Sequence, residues 1–83
     1  MPKAITILPK AARELRRQKA DAGRILDKLE QFAKNPAAFA NNVKALSGST
    51  HARLRIRDYR VIFEETADEI IVIRIGPRGS VYD

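Results

Sequence analysis

Arginines recur through Ala52-Arg53-Leu54-Arg55-Ile56-Arg57-Asp58-Tyr59-Arg60-Val61-Ile62-Phe63, alternating with aliphatic residues on either side of a short break. Side chains along a strand alternate between faces, so this pattern predicts a strand pair that is apolar on one side and cationic on the other. With Arg57-Asp58 as a two-residue hairpin loop, Ile56 faces Tyr59, Arg55 faces Arg60, Leu54 faces Val61 and Arg53 faces Ile62. Arg53, Arg55 and Arg60 then share one face. Like charges directly opposite one another cost up to about 1 kcal/mol, so folding alone gives no reason to set Arg55 against Arg60. An anionic partner does. A guanidinium stays protonated and cannot serve as an ordinary general base. Its planar fork does hold phosphate bidentately, and it stabilises the extra charge of a phosphorane-like transition state. Arg78 is a further candidate of this kind, and Tyr82 becomes a proton-transfer group if nearby cations depress its pKa from about 10.

The other usual catalytic kits are missing. One histidine, His51, and no cysteine leave no zinc site and no Cys/His pair. His51 reads as a solvated loop residue. Gly48, Gly76 and Gly79 do not fall into a phosphate-cradling GxxxxGK or GxGxxG arrangement. The carboxylates are scattered over helices and one hairpin turn, which argues against a paired-carboxylate metal nuclease. No metal and no small-molecule cofactor is expected.

At 83 residues the chain has room for one domain, residues 1–83, and one modest core. Hydrophobic content of 45% with 31% charged residues is that of a folded globular protein. Absence of cysteine fits a reducing compartment, and the apolar run near the amino terminus is too short for a signal-peptide core or a membrane span. A cytoplasmic protein without membrane contact is expected. Net charge is +6, and it is localised. Eight cations face four acids between Pro9 and Lys34, and from Lys44 to Arg60 five cations face Asp58 alone. Beyond Arg60 acids outnumber bases. A basic surface confined to part of a chain is the electrostatic footprint of a nucleic-acid binder.

The elements that must position these groups follow from pattern. Ala4 to Leu8 is a β-branched apolar run closed by Pro9, which then opens a helix to about Gln18 with Ala12, Leu15 and Ala11 inward and Arg13, Arg16 and Arg17 outward. After a break near Asp21-Ala22-Gly23, a second helix carries Ala22, Ile25, Leu26, Leu29, Phe32 and Ala33 on one face and stops before Pro36. Asn35 to Thr50 reads as loop, with an extra turn at Pro36-Ala37-Ala38-Phe39 and a flexible end at Ser47-Gly48-Ser49-Thr50. Three strands follow, Ala52–Ile56, Tyr59–Glu64 and Ile70–Gly76, the last with Ile71, Ile73 and Ile75 toward the core. A five-residue acidic loop sets Arg74 opposite Arg60, enlarging the cationic face; a four-residue loop would turn it to the core side, where a charge is costly. The five-residue loop is the expectation. The order predicts an α+β fold, a small antiparallel-rich sheet with an N-terminal helical hairpin packed on one face.

Nearly the whole chain resembles the RelE/ParE superfamily of toxins from toxin–antitoxin modules, and within it the RelE-type mRNA endonucleases. The resemblance rests on the short first strand, the helical hairpin, Lys44-Ala45-Leu46-Ser47-Gly48, the Arg53–Phe63 stretch with its Asp58-Tyr59-Arg60 turn, and Ile73-Arg74-Ile75-Gly76-Pro77-Arg78-Gly79-Ser80-Val81-Tyr82. It implies a RelE-like fold and a metal-independent endoribonuclease. Such a toxin enters the ribosomal A site, cuts mRNA there by attack of a ribose 2′-hydroxyl on the adjacent phosphate, and is neutralised by a cognate antitoxin protein. By position it implies that Arg60 and Arg78 stabilise the phosphate, that Tyr82 is the base, and that Arg53 or Arg55 assists charge or proton balance. Arg13, Arg16, Arg17, Lys44, Arg57 and Arg74 would contact ribosomal or messenger RNA. Arg53 and Arg55 stand where well-studied members have lysine, and Pro77 where His or Lys is frequent. The alternative on the same fold is a ParE-like inhibitor of DNA gyrase with no nuclease activity.

Overall fold

The computed structural model describes residues 2–80. The β-branched run forms β1 (Ala4–Ile7), and Pro9, whose missing N–H costs nothing in a first turn, opens α1 (Pro9–Arg17). A 3₁₀ turn at Lys19–Asp21 leads into α2 (Ala22–Lys34). A second 3₁₀ segment, Pro36–Asn42, precedes β2 (Val43–Ala45), β3 (His51–Ile56), β4 (Tyr59–Glu65) and β5 (Glu69–Pro77). The strands lie in the order β1-β5-β4-β3-β2, with β1 parallel to β5 and every other pair antiparallel. The expected α+β architecture is therefore present, but its sheet has a strand more than the sequence suggested. β2 falls in the stretch read as loop, because three residues are too few to show a period. His51 likewise begins β3 instead of lying in a loop.

One cluster joins the helical hairpin to the sheet. It takes Ala11 from α1 and Ile25, Leu29, Phe32 and Ala33 from α2, against Leu54, Ile56, Val61, Phe63, Ile70, Val72 and Ile75. Phe32 sits edge-on to both Phe39 and Phe63, with ring centroids 5.7 and 5.1 Å apart. Burying each such aliphatic or aromatic side chain is worth about 1.5–3 kcal/mol before entropy is counted. Leu26, placed by its spacing on the buried face, is instead 38% exposed at that face's margin.

Strand β5 departs from expectation. Glu65 pairs with Ile70 and Phe63 with Val72, but Ile62 pairs with Arg74, so Ile73 is an extra residue in a β-bulge. Such a bulge shifts the in–out alternation by one. Ile70, Val72 and Ile75 are buried, whereas Ile71 and Ile73, expected in the core, are half-buried. The acidic connection has four residues between its last paired positions, and Arg60 lies opposite Gly76. Arg74 is thus not opposite Arg60.

Candidate functional site

The β3–β4 hairpin has the register that the alternation predicts, with Ile56 on Tyr59, Arg55 on Arg60, Leu54 on Val61 and Arg53 on Ile62. Leu54 and Val61 enter the core, so Arg53, Arg55 and Arg60 stand on the opposite face of the sheet. Strand β2 adds Lys44, which pairs with Arg53. Between them lies a shallow depression of about 190 Å³, lined by Asn41, Asn42, Lys44, Arg53, Arg55 and Arg60 and by no carboxylate. Arg53 and Arg60 are half-buried and Arg55 is exposed.

Three contacts hold this face in place. The Tyr59 hydroxyl donates to Asp21 Oδ2 at 2.6 Å, tying the hairpin to the link between the helices. That bond, with some burial and the charges of Asp21 and Asp58, raises the Tyr59 pKa above its ordinary value. Arg60 Nη1 donates to the Tyr59 carbonyl oxygen at 3.1 Å, and Asn42 Nδ2 donates to the Arg55 carbonyl oxygen at 3.4 Å.

Beyond Pro77 the backbone N–H of Arg78 donates to the Asp58 carbonyl oxygen at 2.7 Å, so Arg78 stands at the turn end of the hairpin. Arg57, in that turn, is exposed and has a left-handed φ of 53°. Tyr82 lies outside the described residues.

Arg74 is elsewhere. Its Nε and Nη2 reach Glu14 of α1 at 3.1 and 2.9 Å, and Glu14 Oε1 also accepts the Ile75 backbone N–H at 3.0 Å. The partner strand β1 ends opposite Val72, so Glu14 takes the place of a strand along the last part of β5. Burial works to raise the Glu14 pKa. The hydrogen bonds from Arg74 and Ile75 and the charges of Arg74 and Lys10 outweigh it and hold the carboxyl below its ordinary value. Sequence reasoning missed Glu14; an acid three residues after Ala11, on the inward side of α1, is the sign it leaves. Arg13, Arg16 and Arg17 are exposed on α1 and line no part of the depression. His51 Nε2 is 3.9 Å from Glu64 Oε1. Among the described residues no group of three His, Cys, Asp or Glu could hold a metal ion, and no helix is long and apolar enough to cross a membrane.

Residues 1–82 match the family model described as the ParE toxin of the type II toxin–antitoxin system parDE. The chain belongs to that family, within the RelE/ParE superfamily. Its fold is that of several solved toxins. A chain of the RelBE2 toxin–antitoxin complex from Mycobacterium tuberculosis superposes with a TM-score of 0.75 at 14% identity, covering 94% of this chain and 100% of that one. One from the RelB–RelE complex of Methanococcus jannaschii gives 0.71 at 22% identity, with 94% and 95% covered. One from the Escherichia coli DinJ–YafQ complex gives 0.72 at 14% identity over the whole of both chains. No curated protein matches the sequence.

Proposed function

We propose that this toxin cleaves mRNA in the ribosomal A site. The observation that carries the reading is the like-charged pair Arg55–Arg60, set directly opposite across β3 and β4 with Arg53 and Lys44 beside it. Such a pair opposes folding and is relieved by a phosphate. In the reaction the ribose 2′-oxygen attacks the adjacent phosphorus. Its proton passes to a base, assigned to Tyr82, the P–O5′ bond breaks, and the departing 5′-oxygen takes a proton from water. A 2′,3′-cyclic phosphate and a 5′-hydroxyl result, with no oxidant or metal required. Arg60 and Arg78 neutralise charge on the phosphoryl oxygens as it develops. Arg53 and Arg55, which cannot readily release a proton, act as fixed charge.

In the silent state the same cationic face is covered by an acidic segment of a cognate antitoxin. Coexpression with the adjacent short open reading frame should relieve toxicity and give a salt-sensitive complex. The family match favours a second reading, a gyrase inhibitor that binds protein and cuts nothing. Primer extension on mRNA bound to programmed ribosomes decides between them. A toxin-dependent stop within the A-site codon is expected; arrest of growth with intact message and inhibited gyrase would select the second reading.

A further inference from the structure

The depression on the cationic face does not end at Arg55. Asn42 and Arg55 also line a second depression of about 210 Å³, shared with Lys28, Phe39 and Arg57 and free of carboxylates. Lys28 and Arg57 in turn line a third of about 190 Å³, with Arg24 and with Asp27, the single carboxylate of the series. Asp27 accepts a hydrogen bond from Gln31 at 2.8 Å. The three hollows form one cationic path. It starts beside Arg53 and Arg60, turns over the end of the β3–β4 hairpin at Arg55 and Arg57, and continues onto the exposed side of α2 at Lys28 and Arg24. Each successive pair of hollows shares at least one cationic side chain.

Arg57 gives this path its second, independent mark. Its φ of 53° is one that glycine or asparagine adopts at far less cost, so a hairpin optimised for folding alone would carry one of those. A long cation kept at a strained turn points to a role outside the fold.

We infer that this path is a docking track for a polynucleotide backbone, which crosses the hairpin end and lies along α2. Lys28 and Arg57 neutralise phosphates outside the cleavage centre, Arg24, already paired with Asp21 at 3.5 Å, marks the end of the path, and the centre receives the strand through Arg55. The inference rests on the RNA reading above but not on cleavage. It moves the docking surface from the Arg13, Arg16 and Arg17 face of α1 to α2 and the hairpin turn.

The test is binding of a fluorescently labelled 2′-O-methyl oligouridine, which has no free 2′-hydroxyl and cannot be cut, measured as a function of salt. Each lost phosphate contact on a single strand should reduce the slope of log affinity against log salt by about 0.7. Lys28→Ala and Arg57→Gly should each do so, and the double variant should lose about 1.4. Neither change threatens the fold, since Ala suits a helix and Gly suits φ 53°, and thermal midpoints check this. Lys34→Ala removes the same charge at the far end of α2 and should leave the slope unchanged. Slopes equal to wild type in the double variant, or a loss equal in Lys34→Ala, would overturn the track. So would oligoglutamate competing as well as RNA of equal charge, which would mark the surface as a protein site. Ribosomal cleavage assayed beside binding separates the two claims: a wild type that binds through Lys28 and Arg57 yet never cuts message keeps the track and loses the nuclease.

Discussion

Arg55 and Arg60 show why single residues here cannot be read as parts of a fold alone. Each strand would be better served by a neutral β-former at Arg55, because the cross-strand repulsion would vanish. Arg55→Thr should therefore raise the unfolding free energy by a few tenths to about 1 kcal/mol in urea titrations, while mRNA cleavage at limiting ribosome falls. A variant both less stable and less active would show that Arg55 is held by internal contacts. His51 belongs to the other class. It faces Glu64 near the start of β3, away from the hairpin turn, and His51→Ala should cut message at close to the wild-type rate.

At the level of elements the Glu14 clamp matters most. A helix carboxylate satisfies both the Arg74 guanidinium and the Ile75 N–H, fastening α1 to the last part of β5, which leads to Arg78. Glu14→Ala leaves both donors with no carboxylate and should cost about 2–3 kcal/mol. The Glu14 pKa is lower in the folded state than in the unfolded chain, so ionisation favours folding. That contribution is complete above the ordinary carboxylate range and disappears as pH falls through the folded value. Stability measured against pH should therefore drop on the acid side for wild type and less steeply for Glu14→Gln; equal slopes would contradict it.

The same clamp marks where sequence reading stopped. The hairpin register was legible because Ala52 to Ile56 alternate up to a two-residue turn and Arg60 keeps the phase beyond it, and the helical hairpin was legible because Ile25, Leu29 and Phe32 keep helical spacing. Bulging at Ile73 was not, since Ile70 to Ile75 offers branched aliphatics on both faces and either phase looks apolar. With the phase hidden, so was the fate of Arg74. Residues Val43–Ala45 form a strand through pairing with Ala52–Leu54, a tertiary contact that leaves no local trace.

Taken whole, the molecule separates its work between two faces of one sheet. The helical hairpin buries the apolar face, and the other gathers Lys44, Arg53, Arg55 and Arg60 at the end where Arg78 is tied to the turn. Nothing in the proposed chemistry needs a metal, so cleavage should persist in EDTA once ribosome integrity is controlled; a strict divalent requirement at the cleavage step would contradict the mechanism. The central claim is that the cationic face performs chemistry and does more than dock. Contacts made only in the transition state slow the chemical step even when binding is saturated, whereas uniform binding contacts do not. The most direct measurement is single-turnover cleavage on saturating programmed ribosomes by Arg60→Ala and Tyr82→Phe beside Lys34→Ala. Loss of a donor aimed at the developing phosphate charge should slow Arg60→Ala by about 100-fold or more, Tyr82→Phe should be slowed as well, and Lys34→Ala should match wild type. If Arg60→Ala and Tyr82→Phe cut at the wild-type rate while still arresting growth, the nuclease account is contradicted.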